Sequence, residues 1–339
     1  MQKYKYSLII PIYNRPEQID ELLDSLTKQT FSDLNKVDFE IIVVEDGSSI
    51  TCKHIVDKYS TQLDVKYFFK PNSGQGLSRN FGVENASGDF IITTDSDCIL
   101  PPHYMETVDE YLNKENLDAF GGPDMAHPSF NNLQKATSYA MTSLLTTGGI
   151  RNKKKSLAGK YYTKGFNCGV KRDIFLKIKG YWDFPPPGEE IEFNYKLYKN
   201  NYKIGFIENA FVYHKRRTNL KQFFKQVYLF GRRRAMLNKL YPETSRLVFY
   251  LPLLFTFFVL LTVIAVFICS YTILPLALYV FLVLVDSTVK NSSIVIGGLS
   301  ILTALTQLLG YGIGFLVEFI SRSIFRMKPH KKFHLNETI

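Results

Sequence analysis

Polar and apolar positions alternate along the first hundred residues with two different periods. The runs SLIIPIYN (7–14), EIIVVEDGSS (40–49), VKYFFKPN (65–72) and DFIITTDSD (89–97) are short, rich in β-branched or aromatic side chains, and end in polar residues. Each reads as a strand closing on a turn. Between the first two, Pro16 marks a helix start, and Ile19, Leu22, Leu23 and Leu26 fall on one face. A second helical pattern runs from about Gly76 to Ala86. Strand–helix–strand alternation predicts a mostly parallel, doubly wound α/β sheet. Ligands of such sheets bind beyond the carboxyl ends of the strands. The polar clusters fall there: Tyr13-Asn14, Glu45-Asp46-Gly47-Ser48-Ser49 and Asp95-Ser96-Asp97.

The pattern changes completely after residue 246. Leu247–Val285 is 39 residues without a charge and Asn291–Val317 another 27. About 20 apolar residues cross a bilayer as a helix, and Pro275 splits the first run. Spans are expected near 247–269, 272–289 and 293–320. The glycines at Gly310, Gly312 and Gly314 are where the third would break, to dip back or to lie along the surface.

The mean hydropathy of −0.05 over 339 residues conceals this division. So does the net charge of +10. Residues 1–198 carry 23 basic and 26 acidic side chains, whereas residues 199–246 carry 12 basic and two acidic. Five basic residues and one acid follow in 322–339. The positive block abuts the first span. It therefore predicts a cytoplasmic, membrane-facing collar rather than a nucleic-acid site. A cytoplasmic tail also requires an even number of crossings, against three candidate spans. MQKYKY leads straight into a strand-like run too brief for a signal peptide, so the N-terminal part is expected to stay in the cytoplasm. Four cysteines without CxxC spacing fit neither a disulfide framework nor a zinc site. There is no GxGxxG after the first strand and no GxxxxGK[ST], which argues against dinucleotide and P-loop chemistry.

Asp95 and Asp97 lie two apart at a strand end, so both carboxylates face one site. Two such anions call for a hard divalent cation that also grips phosphates, Mg2+ or Mn2+ rather than zinc. Glu189, Glu190 and Glu192 are either a source of a general base or a solvated helix start. The lysines of 150–165 read as a solvated loop or a flap over an anionic substrate. The stretch Lys215 to Arg234 interleaves aromatic and basic residues, as a membrane-surface helix does.

Three of these stretches, SLIIPIYNR (7–15), VVEDGSS (43–49) and NSGQGLSRNFGVENASGD followed by TTDSD (72–97), resemble the nucleotide-sugar-binding segments of family 2 glycosyltransferases in order and spacing. The resemblance covers roughly residues 5–234 and implies a GT-A type nucleotide-binding domain. It implies that Pro11, Tyr13 and Asn14 line the base pocket and that Asp46 contacts the base. Arg79 would lie near the base or diphosphate, Asp95 near the ribose or metal, and Asp97 would be the direct metal ligand. GFNCG (165–169) resembles the family's acceptor-side segment. The family's usual Glu-Asp is here Glu189-Glu190, so Glu190 is expected as the base with Glu189 its neighbour. His214 either completes the metal shell or is a core histidine.

The run from KLYKNNYK to FGRRRA resembles succinoglycan-type exopolysaccharide transferases. The organisation expected is a catalytic domain (1–214), a basic amphipathic membrane-surface region (215–246), two or three transmembrane helices (247–320) and a basic cytoplasmic tail (321–339). The function expected is inverting transfer from a UDP- or GDP-sugar to a lipid-linked saccharide, at the cytoplasmic face of the inner membrane. Alternatives are transfer onto polyprenyl phosphate, or a non-catalytic sugar-nucleotide sensor.

Overall fold

A computed structural model of the chain describes residues 4–32, 37–149, 160–183 and 188–323. The chain begins with β1 (Lys5–Ile12), α1 (Pro16–Thr27), β2 (Asp38–Asp46), α2 (Lys53–Tyr59), β3 (Val65–Lys70), α3 (Gln75–Glu84) and β4 (Phe90–Thr93). Next come β5 (Cys98–Ile99), α4 (Tyr104–Lys114), β6 (Ala119–Gly121), β7 (Asp124–Met125), α5 (Asn132–Thr142) and α6 (Leu144–Thr147). β8 (Cys168–Lys171), α7 (Arg172–Lys177), α8 (Glu189–Lys199), β9 (Ile204–Phe206) and β10 (Val212–His214) follow. The remainder is helical: α9 (Leu220–Leu240), α10 (Leu251–Ala265), α11 (Leu274–Asn291) and α12 (Ile294–Ser323). Among the described residues these form two compact units, one of residues 4–127 and 160–215, the other of 128–149 and 216–323.

In the first unit the larger sheet runs β3-β2-β1-β4-β8-β6-β9. β1 pairs in parallel with both β2 and β4, while β8 is antiparallel to β4 and β6. β1, β2 and β4 are buried on both faces, and their near-continuous apolar runs follow from that. Leu8, Ile10, Ile41, Val43 and Ile92 pack against α1 and α4 on one face. Ile9, Ile42, Val44 and Ile91 pack on the other against Val83 and the α7–α8 side chains Phe175 and Phe193. The predicted α1 stripe of Ile19, Leu22, Leu23 and Leu26 is buried, at about 1.5–3 kcal/mol per side chain. The strand order reverses between β1 and β4. That switch point opens a crevice at their carboxyl ends.

Segment 128–149 belongs to the second unit, although a linear reading leaves it inside 1–214. Its α5 is closed at the N-terminus by a capping box of Asn131 and Gln134, and buries Ala136, Tyr139, Ala140 and Met141. Among the described residues three helical stretches are long and apolar enough to cross a membrane: Leu247–Ala265, Ser270–Asn291 and Ile294–Arg322. The break expected at Gly310–Gly314 does not occur, and α12 runs unbroken through it. Those glycines are contact points. A Cβ at Gly314 would stand 2.1 Å from the Tyr228 carbonyl oxygen, and one at Gly231 2.0 Å from that of Tyr311. The absence of side chains lets the α9 and α12 backbones touch.

Candidate functional site

The site is assembled at the carboxyl ends of β1, β2 and β4. Pro11 occupies a β1 position beyond the last β1–β4 pair, Ile9 with Thr93, so its missing N–H costs no bond to β4. Tyr13 is exposed beyond it. Asn14 adopts a positive φ of 52°. Its Oδ1 accepts from the Ser49 N–H at 2.8 Å and the Ile50 N–H at 3.2 Å, and its own N–H donates to Ser48 Oγ at 2.8 Å. Asn14 thereby ties the loop after β1 to the loop after β2.

Asp46 closes β2. Its carboxylate accepts from the Ser73 and Gly74 N–H groups at 2.9 and 2.8 Å and from Lys70 Nζ at 2.5 Å. Both oxygens are thus engaged by the turn that leads into α3, and Asp46 acts here as its brace. Gly47 follows with φ +71°, and a Cβ there would meet the Asn72 nitrogen at 2.6 Å. The turn needs a glycine on both counts.

Arg79 projects from α3 with only 1% of its surface exposed. Its Nη2 donates to Asp95 Oδ1 at 2.8 Å, and its Nη1 lies 3.7 Å from Glu189 Oε1. The guanidinium stands 5.2 Å over the Tyr181 ring, and a Cβ on Gly165 would strike it at 2.6 Å. Gln75 Nε2 donates to the same Asp95 oxygen at 2.5 Å. Burial pushes the Asp95 carboxyl up, against the pull of Arg79.

Asp97 turns the other way. Its Oδ2 accepts from Arg15 Nη1 at 3.0 Å, and its Oδ1 lies 3.1 Å from His214 Nε2. His214 reaches it because β10 pairs antiparallel with β5, which sets His214 opposite Cys98. The imidazole stacks on Phe166 with centroids 4.4 Å apart. Asp97, Cys98 and His214 offer ligand atoms within 4.8 Å of one another. Burial pushes the Cys98 thiol well up, and its sulfur is a soft donor matched poorly to a hard cation. The Asp97 carboxylate and the His214 imidazole are placed to hold a divalent cation together. Asp95 points instead to Gln75 and Arg79.

The pairing of β4 with β8, Thr93 opposite Cys168, carries the Gly165–Asn167 segment alongside. The Asn167 side chain is wholly buried between Tyr104 and the Ala210 carbonyl, which makes it a pin rather than a substrate contact. Beyond it, α8 starts at Glu189. Glu189 is buried and its Oε2 accepts from the Gly188 N–H at 2.9 Å. Burial, reinforced by the neighbouring Glu190 charge, pushes its carboxyl up to about 7 against the pull of Arg79. Glu190 is half-buried. Glu192 faces inward and pairs with Lys196 at 3.1 Å. It therefore belongs to the core and not to a solvated helix face.

Four residues that the sequence reading left without a role join the site: Arg15, Lys70, Gln75 and Tyr181. Arg15 and Gln75 lie inside the motif stretches, but neither the spacing nor the residue type names their partners. Of the basic loop at 150–165, residues 150–159 lie outside the described residues, as do 324–339 of the tail. Lys160 stands 4.8 Å over the Tyr198 ring.

A family model described as "Glycosyl transferase family 2" matches residues 7–178, just over half of the chain. The chain belongs to glycosyl transferase family 2. It is 39% identical over 115 residues to the poly(ribitol-phosphate) beta-N-acetylglucosaminyltransferase TarS of Staphylococcus aureus, a match spanning 33% of this chain and 18% of that protein. It is 24% identical over 232 residues to the succinoglycan biosynthesis protein ExoA of Rhizobium meliloti, covering 67% and 68% of the two chains. Its fold is that of the mannosyltransferase PcManGT from Pyrobaculum calidifontis, solved with GDP-Man and Mn2+. The TM-score is 0.58 at 15% identity, over 94% of this chain and 88% of that one. The architecture is of the GT-A type. A divalent metal is typical of such enzymes.

Proposed function

We propose that this family 2 protein is an inverting glycosyltransferase. In this reading it moves a sugar from a UDP- or GDP-sugar to a hydroxyl of a lipid-linked saccharide, at the cytoplasmic face of the inner membrane. The observation that carries the reading is the buried Arg79. It touches Asp95 on the donor side and reaches Glu189, beside Glu190, at the start of α8. Donor carboxylates and candidate base are thereby held in one frame.

Pro11, Tyr13 and Asn14 border the base, with Asp46 bracing the turn behind it. Asp97 and His214 would hold the metal, with Asp95 beside it. Bound there, the ion would stabilise the negative charge of the departing nucleoside diphosphate. Glu190 takes the acceptor's hydroxyl proton as the oxygen forms its bond to the anomeric carbon, while the bond from that carbon to the diphosphate oxygen breaks. Glu190 is assigned this role over Glu189 because it is half-buried rather than enclosed, and a base must first reach its proton. Succinoglycan synthesis by a relative and three apolar stretches both favour a membrane-held acceptor.

Calorimetry of the detergent-solubilised protein with UDP- and GDP-sugars, with and without Mn2+, tests this. Binding of one nucleotide class that is strengthened by Mn2+ and lost in Asp97→Ala is expected. Absence of any nucleotide-sugar binding, or binding indifferent to Asp97→Ala, overturns it.

A further inference from the structure

The three apolar stretches differ in their surroundings. The first two are 11% buried within the protein and the third 44%. The face of α12 that accounts for this repeats every three or four residues: Ser300, Thr303, Gln307, Gly310, Gly314 and Glu318, all buried. Val295, Leu302, Ile313 and Val317 lie on another side and are exposed. Ile296, Ala304, Leu308 and Phe315 are buried beside that face, so the helix has a mixed side against protein and an apolar side left open.

What covers the mixed side decides where α12 can lie. Thr303 Oγ1 donates to the Ala136 carbonyl of α5 at 3.0 Å. Ser300 Oγ is hydrogen-bonded to Ser287 Oγ of α11 at 2.6 Å, and from Gly310 onward the partners are α9 and the start of α10, whose Pro252 carbonyl and Thr256 Oγ1 abut Gly312. Val227 abuts Gly310, the Tyr228 carbonyl abuts Gly314, Arg232 pairs with Glu318 at 2.7 Å, and Lys239 Nζ donates to the Arg322 carbonyl at 3.2 Å. α9 cannot enter hydrocarbon with α12. It carries Lys221, Lys225, Arg232, Arg233, Arg234 and Lys239, and Lys221, Lys225 and Lys239 are exposed. Each such charge costs roughly 2.5–3.5 kcal/mol at the bilayer centre.

From Gly310 to Arg322, α12 is therefore tied to a helix that stays in the aqueous or headgroup zone, and it meets α10 near the start of that helix. Residues 294–309 of α12 remain free of α9. These residues at 1.5 Å each reach about 24 Å, short of a hydrocarbon core of about 30 Å. The Gly310–Gly314 pair also suits packing of two spans, but the charges of α9 exclude it as one of them. The apolar stripe of α9 (Phe223, Val227, Gly231, Ala235) is buried. It is α12 that is left to face lipid.

We infer that α12 lies along the bilayer surface with its Val295–Val317 stripe on the lipid, and that α10 and α11 alone cross. The chain then leaves α12 on the side from which it entered α10, which removes the odd number of crossings. The inference rests on the membrane attachment in the proposed function and not on its chemistry.

Cys269, the exposed cysteine in the α10–α11 turn, is a native reporter; Cys52, Cys98 and Cys168 are buried. The test is labelling by a membrane-impermeant maleimide in right-side-out and everted vesicles of full-length protein. Lys239→Cys, Lys225→Cys and Ser321→Cys, each in a Cys269→Ser chain, should label from one common face, and Cys269 from the opposite face. Ser321→Cys labelling from the Cys269 face would mean a third crossing and overturn the inference, as would Cys269 labelling from the α9 face. Should the wild-type chain fail to float with vesicles after carbonate washing, it is the membrane attachment that fails. That outcome is read independently of the labelling.

Discussion

Arg79 and Asp95 form a 2.8 Å hydrogen-bonded ion pair in which the guanidinium is almost wholly enclosed. The enclosure is what gives the pair weight, because a part-buried carboxylate deprived of its partner keeps much of the desolvation cost without the attraction. Arg79→Met should cost about 3–5 kcal/mol, seen as a lowered thermal midpoint in detergent, and should weaken nucleotide-sugar binding. Arg79→Lys recovers only part, since an ammonium cannot hold Asp95, approach Glu189 and lie flat on Tyr181 together.

Glu190→Gln should lower transfer by about 10^2–10^4-fold while leaving the nucleotide-sugar Kd unchanged. Turnover of radiolabelled donor into the lipid extract measures the first, and calorimetry the second. Turnover that survives the substitution points instead to an acceptor already ionised, such as a polyprenyl phosphate.

Glu189 binds a proton more tightly in the folded chain, at about 7, than at its ordinary value of 4.5. Folding therefore takes up a proton between those values, and this residue's contribution to stability falls as pH rises through the window. Thermal midpoints from pH 4.5 to 7.5 should decline less steeply in Glu189→Gln than in wild type. The difference is on the order of 3 kcal/mol at the upper end and becomes small near pH 4.5. Parallel slopes in the two proteins would contradict this.

Arg15 places a cation 3.0 Å from Asp97 Oδ2, beside the proposed metal ligands. Arg15→Gln should bind Mn2+ about fivefold more tightly, equivalent to roughly 1 kcal/mol of relieved repulsion. Asp97→Asn should lose Mn2+ binding altogether. Electron paramagnetic resonance of free Mn2+ during titration reads both without any turnover.

Gly231→Ala forces a methyl into the Tyr311 carbonyl, 2.0 Å away, so α9 and α12 must separate. A loss of about 1–3 kcal/mol is expected, visible as a lower thermal midpoint. Gly298→Ala, in α12 but with nothing within 4 Å, should be neutral.

Much of the architecture is local and therefore legible. β1, β2 and β4 are near-continuous apolar runs because they are buried on both faces, and α1 announces itself because only one of its faces is. The polar residues that end those strands mark the crevice for the same reason: a parallel sheet collects its carboxyl ends on one edge. Length and hydropathy likewise isolate the three apolar stretches.

Sequence periodicity says that a face is covered but not by what. Hence α5 joins the second unit unannounced, and the stripe of α9, which reads as membrane-seeking, is spent on α12. The glycines of α12, which read as a break, are close contacts, since a missing side chain serves either end. Asp97 and His214 meet through a β5–β10 pairing between residues more than a hundred positions apart, and Arg79 finds Glu189 across a similar separation. The sequence alone determined which chemistry-bearing residues lie at strand ends and where the apolar stretches fall, because short-range patterns encode both. Only the tertiary structure decided which charges neutralise one another and which apolar faces remain exposed. Those are properties of long-range packing, where the low dielectric of the interior makes each partner count.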